Sequence, residues 1–232
     1  MKTNTLFRTL VSLVASIPLL SSCGSSATKE RTVILPNDIP LELVELPTGL
    51  MFGKYEVTQM QWEAVMGKNP SGFKGVDNPV EKVSWNDCQE FLRKLNAFSV
   101  GMGSGLVFRL PTDAEWEYAC RAEATGKYCK LADGTEISEE SLGKVAWFED
   151  NSDNKTHPVG QKQPNAFGLY DMHGNVGEWT QTKGVSEFGE YHVFRGGSGE
   201  ESAKSCESSY WDGCFSVSAL VGFRLCASGR AN

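Results

Sequence analysis

The sequence predicts a loop-rich α+β domain, with helices in its first half and irregular structure in its second. Three capping residues precede apolar runs and mark helix starts. Short segments of β-branched and aromatic residues lie between these helices and are typical of strands. The second half is rich in Gly, Asn, Asp and Ser, yet aromatic residues are scattered through it, which is unlike a disordered chain.

The helices are placed by their caps. Thr58 caps the first helix, which we expect to end at Gly67. Ser84 caps the second, and Thr112 caps a third that reaches Cys120. The strand candidates are 55–57, 107–110, 192–194 and 222–225.

Length and charge limit the function. The chain has 232 residues and a formal net charge of -7. Without its leader it has room for one sizeable core, and we expect a monomer. The acidic balance disfavours nucleic acid as a partner, because binding phosphates requires clustered Lys and Arg. We read the acidity as a property that favours solubility.

The N-terminus has the pattern of a secretion signal. Lys2 and Arg8 precede an apolar stretch at 10–20, which is too short to span a bilayer as a helix. Small residues then lead into Cys23, and the run 20–23 resembles the lipobox of bacterial lipoproteins, in which the cysteine is acylated. The alternative is an ordinary signal peptide with a chance cysteine.

These features divide the chain into three parts. We expect a signal peptide at 1–22, a lipidated Cys23 with a flexible tether at 23–33, and a folded domain at 34–232. The lipid would anchor the protein at the cell surface or on the periplasmic face of the outer membrane. In such an oxidising location the six remaining cysteines can form disulfides, although their spacing does not define the pairs.

Short motifs in the folded domain point to one family. They occur in the family's order along the chain, at 53–58, 61–62, 69–70, 79–80, 83–85, 109–119, 157–160, 164–165, 168–172, 174–176, 178–179, 195–198 and 222–225. From about residue 50 to 226 the chain resembles the formylglycine-generating enzyme (sulfatase-modifying factor) family. That resemblance implies a loop-rich variant of the C-type lectin fold. It also places Trp116 and Trp179 in the core and a glycine turn at Gly196 and Gly197.

The resemblance implies one calcium site. In the family, Ca²⁺ lies beside the Gly-Asn-Val motif, and the matching positions here are Asp171, Gly174, Val176 and Glu178. Side-chain and carbonyl oxygens suit this hard cation. The alternative is that the two acids only cap amides of the loop. The family's second calcium site is not expected, because Val145 has no side-chain oxygen.

The family's enzyme chemistry is not expected. The enzyme oxidises a sulfatase cysteine with copper held by two cysteines, and the matching segment 199–205 contains none. Glu201 stands at one copper position, so we predict neither copper nor catalysis. The three histidines, which lack metal-ligand spacing, are His157, His173 and His192.

The resemblance also implies one disulfide, between Cys120 and Cys206. The family's other bridge is lost, since Leu92 and Leu225 stand at its positions. The cysteines left without a partner are Cys88, Cys129, Cys214 and Cys226.

The segment 195–225 keeps the family's ends but not its interior, 199–221. Some surface lipoproteins of this subfamily are variable proteins of diversity-generating retroelements, which recode asparagine codons in this region. Tyr, Trp, Ser and Asp are also typical of binding loops. The predicted ligand-binding residues are Tyr210, Trp211, Asp212, Phe215, Ser216 and Ser218.

We therefore predict a non-catalytic surface lipoprotein that binds a protein or glycan through 199–221. Three alternatives stay open. The segment could be a structural loop that has drifted, or the protein could be a sulfatase-maturation accessory. The third alternative is an enzyme of the formylglycine-generating type.

Overall fold

Two sheets organise the molecule, one antiparallel and one mixed. The computed structural model describes residues 29–230, so the predicted signal peptide and Cys23 lie outside the described residues. The strands are β1 Glu30–Ile34, β2 Pro40–Glu45, β3 Met51–Gly53, β4 Leu106–Arg109, β5 Ala146–Trp147, β6 His173–Gly174, β7 Gly177–Ser186, β8 Gly189–Arg195, β9 Trp211–Cys214, β10 Val221–Gly222 and β11 Cys226–Gly229. The helices are α1 Gln59–Met66, α2 Trp85–Gly101 and α3 Asp113–Arg121, with short 3₁₀ helices at Pro36–Asp38 and Glu139–Lys144.

The first sheet joins the two ends of the described chain. Its order is β1-β2-β3-β11-β4, and every neighbouring pair is antiparallel. The second sheet has the order β10-β7-β8-β9, in which the two-residue β10 runs parallel to β7. A parallel pair, β5 and β6, connects the loops between the sheets. Because β11 lies between β3 and β4, the last strand completes a sheet that the first strands begin.

All three predicted helices are present, and each begins at the predicted cap. Thr58, Ser84 and Thr112 each accept a hydrogen bond from the backbone N–H three residues later, in a reciprocal capping box. Gly67 ends α1 in the left-handed conformation, with φ of 80°. These local sequence signals therefore placed the helices correctly.

Two strand predictions were wrong in position. Residues 55–57 form no strand, and the paired strand is β3, directly before them. The reason is that the Glu56 side chain turns inward and accepts hydrogen bonds from Asn175 and from the backbone N–H of Val176. Of the predicted strand 222–225 only Gly222 is paired, at the end of β10, and residues 223–225 lie between β10 and β11.

The main core lies between α2 and the sheets. Trp62 stacks on Phe91 with ring centroids 5.4 Å apart, and Phe223 meets both rings edge-on. Trp116 and Trp179 are fully buried, as predicted. No helix among residues 29–230 is long and apolar enough to cross a membrane.

The predicted glycine turn is present after β8. Gly196 and Gly197 have φ of 98° and 70°, which side chains rarely adopt. A Cβ on Gly197 would lie 2.9 Å from the Ser205 carbonyl oxygen and 2.8 Å from the Cys206 sulfur. The turn therefore brings the following segment close against β8.

We expect Gly197→Ala to destabilise the protein by about 2–4 kcal/mol, because strain from positive φ adds to the clash with Ser205. The matched control is Gly49→Ala, whose φ is 81° but whose Cβ would meet nothing within 4 Å. Urea unfolding measures both variants. Equal losses would show that the close packing contributes nothing.

Candidate functional site

The C-terminal segment is anchored in its first half. Arg195, which is almost fully buried, forms an ion pair with Asp113 and donates a hydrogen bond to the Ser208 carbonyl at 3.0 Å. The Ser208 N–H donates in turn to the Lys127 carbonyl at 2.8 Å. Cys206 is also buried. Residues 200–210 are thus held by the rest of the domain.

The second half of the segment is exposed. It begins with β9, the outer strand of its sheet, which pairs with β8 so that Trp211 lies opposite Arg195 and Gly213 opposite Val193. Trp211 is 50% exposed and Phe215 54% exposed. Large apolar side chains with this exposure, grouped on one surface, are typical of interaction sites.

Tyr191 lies flat across the outer face of this sheet. Gly184 of β7 is its direct cross-strand partner. A Cβ on Gly184 would lie 2.1 Å from the ring carbon Cζ, and a Cβ on Gly213 of β9 would lie 2.4 Å from Cδ2. Because these two glycines have no side chains, the Tyr191 ring can lie across β7, β8 and β9.

Four rings form what we call the aromatic platform: Phe188, Tyr191, Trp211 and Phe215. The Tyr191 and Trp211 rings are parallel within 2° with centroids 6.5 Å apart, and Phe215 meets Tyr191 nearly perpendicularly at 6.1 Å. Phe188, in the turn between β7 and β8, is 80% exposed. Together with Ser186, Asp212 and Gly213, these rings line an open cleft of about 270 Å³.

The structure brings together three of the six predicted binding residues. Trp211, Asp212 and Phe215 line the cleft. Tyr210 is half-buried, and its carbonyl accepts a hydrogen bond from Arg195 at 3.4 Å. Ser216 is exposed and Ser218 half-buried, outside the lining of this cleft.

Sequence reasoning missed Tyr191 and Phe188, which belong to the platform but lie outside the segment 199–221. One signal could have found Tyr191. It directly precedes the predicted strand 192–194, and alternation along a strand places it on the face opposite His192. Phe188 lies in the hairpin turn, where alternation gives no guide.

A group of buried charges lies at the other end of β7. Arg224, fully buried, donates to the Glu178 carboxylate at 2.8–3.1 Å, and the indole N–H of Trp116 donates to the same carboxylate at 2.6 Å. Glu56 and Asp171 are buried beside this pair. Three buried carboxylates thus lie near one guanidinium, which pairs with Glu178 alone among the described residues. Burial raises the pKa of Glu56 well above its usual value and that of Asp171 to about 6.

The predicted calcium ligands fit this site in part. Asp171 Oδ1 is buried and has no hydrogen-bond partner within residues 29–230, so it is available to a cation. Both oxygens of Glu178 already accept from Arg224 or Trp116. No three His, Cys, Asp or Glu side chains of the described chain converge on one metal position. Of the two side chains predicted to hold calcium, Asp171 therefore has a free oxygen and Glu178 is engaged.

The expected disulfide is not formed in this structure, in which Cys120 and Cys206 are free thiols. The buried His173 ring occupies the space beside them. Its Nε2 accepts from the Cys129 N–H at 3.1 Å and its Nδ1 donates to the Cys206 carbonyl at 2.7 Å. The Cys120 sulfur is 3.6 Å from Nε2. Burial lowers the pKa of His173 to about 4, so the ring is neutral at pH 7.

The family model described as "Sulfatase-modifying factor enzyme 1-like domain" matches residues 22–228. "Chaperone protein LppX" of Paenibacillus barcinonensis is 33% identical over 68% of this chain and 72% of its own. "Formylglycine-generating enzyme" of Mycobacterium tuberculosis is 31% identical over 53% of this chain and 39% of its own. "Inactive C-alpha-formylglycine-generating enzyme 2" of Bos taurus is 30% identical over 59% and 44%. The chain thus spans less than half of these last two proteins.

Among solved structures, "Treponema denticola variable protein 1" has a TM-score of 0.72 and 26% identity, covering 85% of this chain and 98% of that one. "Structure of PvdO from Pseudomonas aeruginosa" has a TM-score of 0.62 at 24% identity, covering 87% and 92%, and shows likeness of fold. These findings confirm the predicted family resemblance and the loop-rich α+β, C-type-lectin-like fold.

We expect Arg224→Met to destabilise the protein by about 3–5 kcal/mol, because it leaves buried carboxylates without their cation. Arg93→Met is the matched control, since Arg93 makes an exposed pair with Glu90 on α2 and its loss should change little. Chemical denaturation at pH 7 measures both. Similar small losses would show that the buried pair is dispensable.

We expect Gly213→Ala to displace the Tyr191 ring while the fold persists, because the new methyl group meets that ring and no backbone atom among its nearest neighbours. Near-ultraviolet circular dichroism should change, whereas the far-ultraviolet spectrum should not. Gly229→Ala, whose Cβ would meet nothing within 4 Å, is the control. An unchanged near-ultraviolet spectrum in Gly213→Ala would contradict this account of the platform.

Proposed function

This chain belongs to the sulfatase-modifying factor family, and from that premise we propose that it is a non-catalytic, surface-displayed ligand-binding lipoprotein. It binds its ligand through the C-terminal segment 199–221. The observation that carries the proposal is the aromatic platform. Two of its rings, Trp211 and Phe215, belong to this segment and are exposed.

The absence of the family's catalytic cysteines supports the non-catalytic part. Segment 199–205 contains no cysteine, and Glu201 stands at a copper position. A soft Cu(I) ion requires thiolate ligands that this segment cannot supply. The family also includes a relative that is named as inactive.

The division of the segment supports binding by its second half. The anchored half is bound to Arg195 and Lys127, whereas Trp211, Asp212 and Phe215 are exposed. A rigid frame that carries exposed aromatic residues resembles a paratope, in which aromatic rings supply contact area at low entropic cost. If the segment were only a structural loop that has drifted, nothing would account for the two glycines, Gly184 and Gly213, that make room for the Tyr191 ring.

We also propose that the segment is diversified by a retroelement. Every residue from 212 to 221 can arise from recoded asparagine codons, and the similar structure is named a variable protein. Glu201 and Glu207, which cannot arise in this way, lie in the anchored half. Trp211 cannot arise in this way either and would be a fixed residue of the platform.

The DNA downstream of the gene tests this proposal. We expect a near-copy of the region encoding 195–225, differing at adenines and followed by a reverse transcriptase gene. Differences confined to codons outside 210–221 would contradict the assignment of the binding face. A sulfatase gene in this position would instead favour the maturation-accessory function.

An activity assay tests the enzyme alternative. The purified full chain, incubated with Cu(I), oxygen and a cysteine peptide of the sulfatase type, should leave the thiol unchanged by mass spectrometry. A formylglycine-generating enzyme serves as the positive control. Conversion of the cysteine by this chain would overturn the non-catalytic proposal.

The proposed anchor depends on Cys23, and we expect the wild-type protein to incorporate an alkyne-labelled fatty acid and to enter the detergent phase of a Triton X-114 extract. Cys23→Ala should lose both properties. Cys214→Ala, which removes a half-exposed cysteine of the folded domain, is the control. Detergent partitioning that survives Cys23→Ala would favour an uncleaved signal peptide, and partitioning of the wild type into the aqueous phase would favour an ordinary cleaved one.

We further propose that Ca²⁺ binds at Asp171, where an unpartnered buried oxygen and an excess of buried carboxylates favour a cation. We expect calcium to raise the melting temperature of the wild type and not that of Asp171→Ala. Asp133→Ala, in an exposed loop, should respond as the wild type does. An equal response of all three proteins would show that calcium binds elsewhere.

A further inference from the structure

We propose that the cleft of the aromatic platform binds a cationic side chain, arginine or lysine, presented by an extended segment of a partner protein. The proposal rests on the ligand-binding function proposed above and names the chemistry of that same site. It is carried by three observations: the arrangement of the rings, the sign of the surrounding charge, and a free strand edge.

The rings are arranged so that a ligand in the cleft can contact their faces. Tyr191 lies flat on Gly184 and Gly213, so that one face is turned away from the sheet. Trp211 is parallel to it, and Phe215 stands nearly perpendicular beside it. The face of an aromatic ring carries negative potential, and a cation within about 6 Å of the ring centroid is attracted to it.

The charge around the platform favours a cation. Asp212 is the charged residue that lines the cleft, and its Oδ1 accepts a hydrogen bond from the neighbouring Gly213 N–H at 2.7 Å. Glu201 lies near enough that Asp212, together with burial, raises the pKa of Glu201. Glu187 is exposed next to Phe188. These acids add a negative field to rings that already favour a positive ligand.

The nearby cation does not occupy the cleft. Lys183 pairs with Glu190 at 3.0 Å, and its ammonium lies 5.4 Å from the Trp85 ring centroid. Lys183 is the cross-strand partner of His192, and the His192 ring stacks on Trp85. Tyr191 is instead the partner of the next residue, Gly184. Alternation therefore directs Lys183 to the opposite face of the sheet. The platform thus faces solvent without a cation of its own from this strand.

The strand edge favours a protein partner over a free cation. β9 is the outer strand of its sheet among residues 29–230, and its side away from β8 pairs with no other strand of this part of the chain. An extended peptide can add to such an edge, and alternate side chains then reach one face. The platform begins on this strand at Trp211, so the added strand would present its side chains to the rings.

The test uses the full-length lipidated protein in detergent micelles and two synthetic peptides. The first is acetyl-Gly-Arg-Gly-Arg-Gly-Arg-Gly-amide, in which arginines alternate as they would on a strand. The second replaces each arginine with citrulline, which has the same shape but no charge. Binding is measured by calorimetry and by the indole N–H resonance of Trp211, identified from its loss in Trp211→Phe.

We expect the arginine peptide to bind at least about fivefold more tightly than the citrulline peptide, as one cation–π contact near a carboxylate requires. Asp212→Asn and Tyr191→Leu should each weaken binding by about fivefold. Raising the salt concentration should weaken it further. The control Glu139→Gln, which makes the same charge change outside the cleft, should bind as the wild type does.

Three results would overturn the proposal: equal binding of the two peptides, equal weakening by Asp212→Asn and Glu139→Gln, or no shift of the Trp211 resonance. A neutral oligosaccharide that shifts this resonance, where the arginine peptide does not, would also overturn it. In that case the ligand-binding function would stand and only the cationic chemistry would fall. The downstream DNA tests the wider function independently.

Discussion

The fold depends on one buried ion pair. Arg224 donates to Glu178, to the Gly53 carbonyl at 2.9 Å and to the Tyr170 carbonyl at 2.7 Å, so one side chain connects four parts of the chain. Burying these charges is costly, and it is tolerated because each of the three guanidinium nitrogens donates a hydrogen bond. The pair fixes the end of β7, which directs the rest of that strand outward.

The two ends of β7 have different environments, one packed in the core and one exposed to solvent. Its first four residues are buried beside the charged group, whereas the residues from 181 to 186 alternate between exposed and half-buried. The platform lies on the outer end, next to β8 and β9. A site at the exposed end of a firmly anchored strand can change its surface residues while the interior packing is kept.

Local signals in the sequence were sufficient for the helices and insufficient for the site. A capping box needs only four consecutive residues, so the caps at Thr58, Ser84 and Thr112 could be read directly. The strand expected at 55–57 failed because Glu56 is bonded to residues more than a hundred positions away. Of the platform residues, Trp211 and Phe215 were predicted from the sequence and Tyr191 was not. The space for the Tyr191 ring is left by glycines on two other strands, and strand pairing cannot be read from one sequence.

The segment 199–205, which contains no cysteine, is held by backbone hydrogen bonds. The Gly199 N–H donates to the Asn175 carbonyl at 3.1 Å, and the Glu201 carbonyl accepts from the Glu149 N–H at 3.0 Å. These are backbone bonds, which do not depend on the side chains at 199–205. The path of the chain that positions β9 is therefore set by the backbone, whichever side chains stand at 199–205. A shared fold for this reason does not by itself imply a shared reaction.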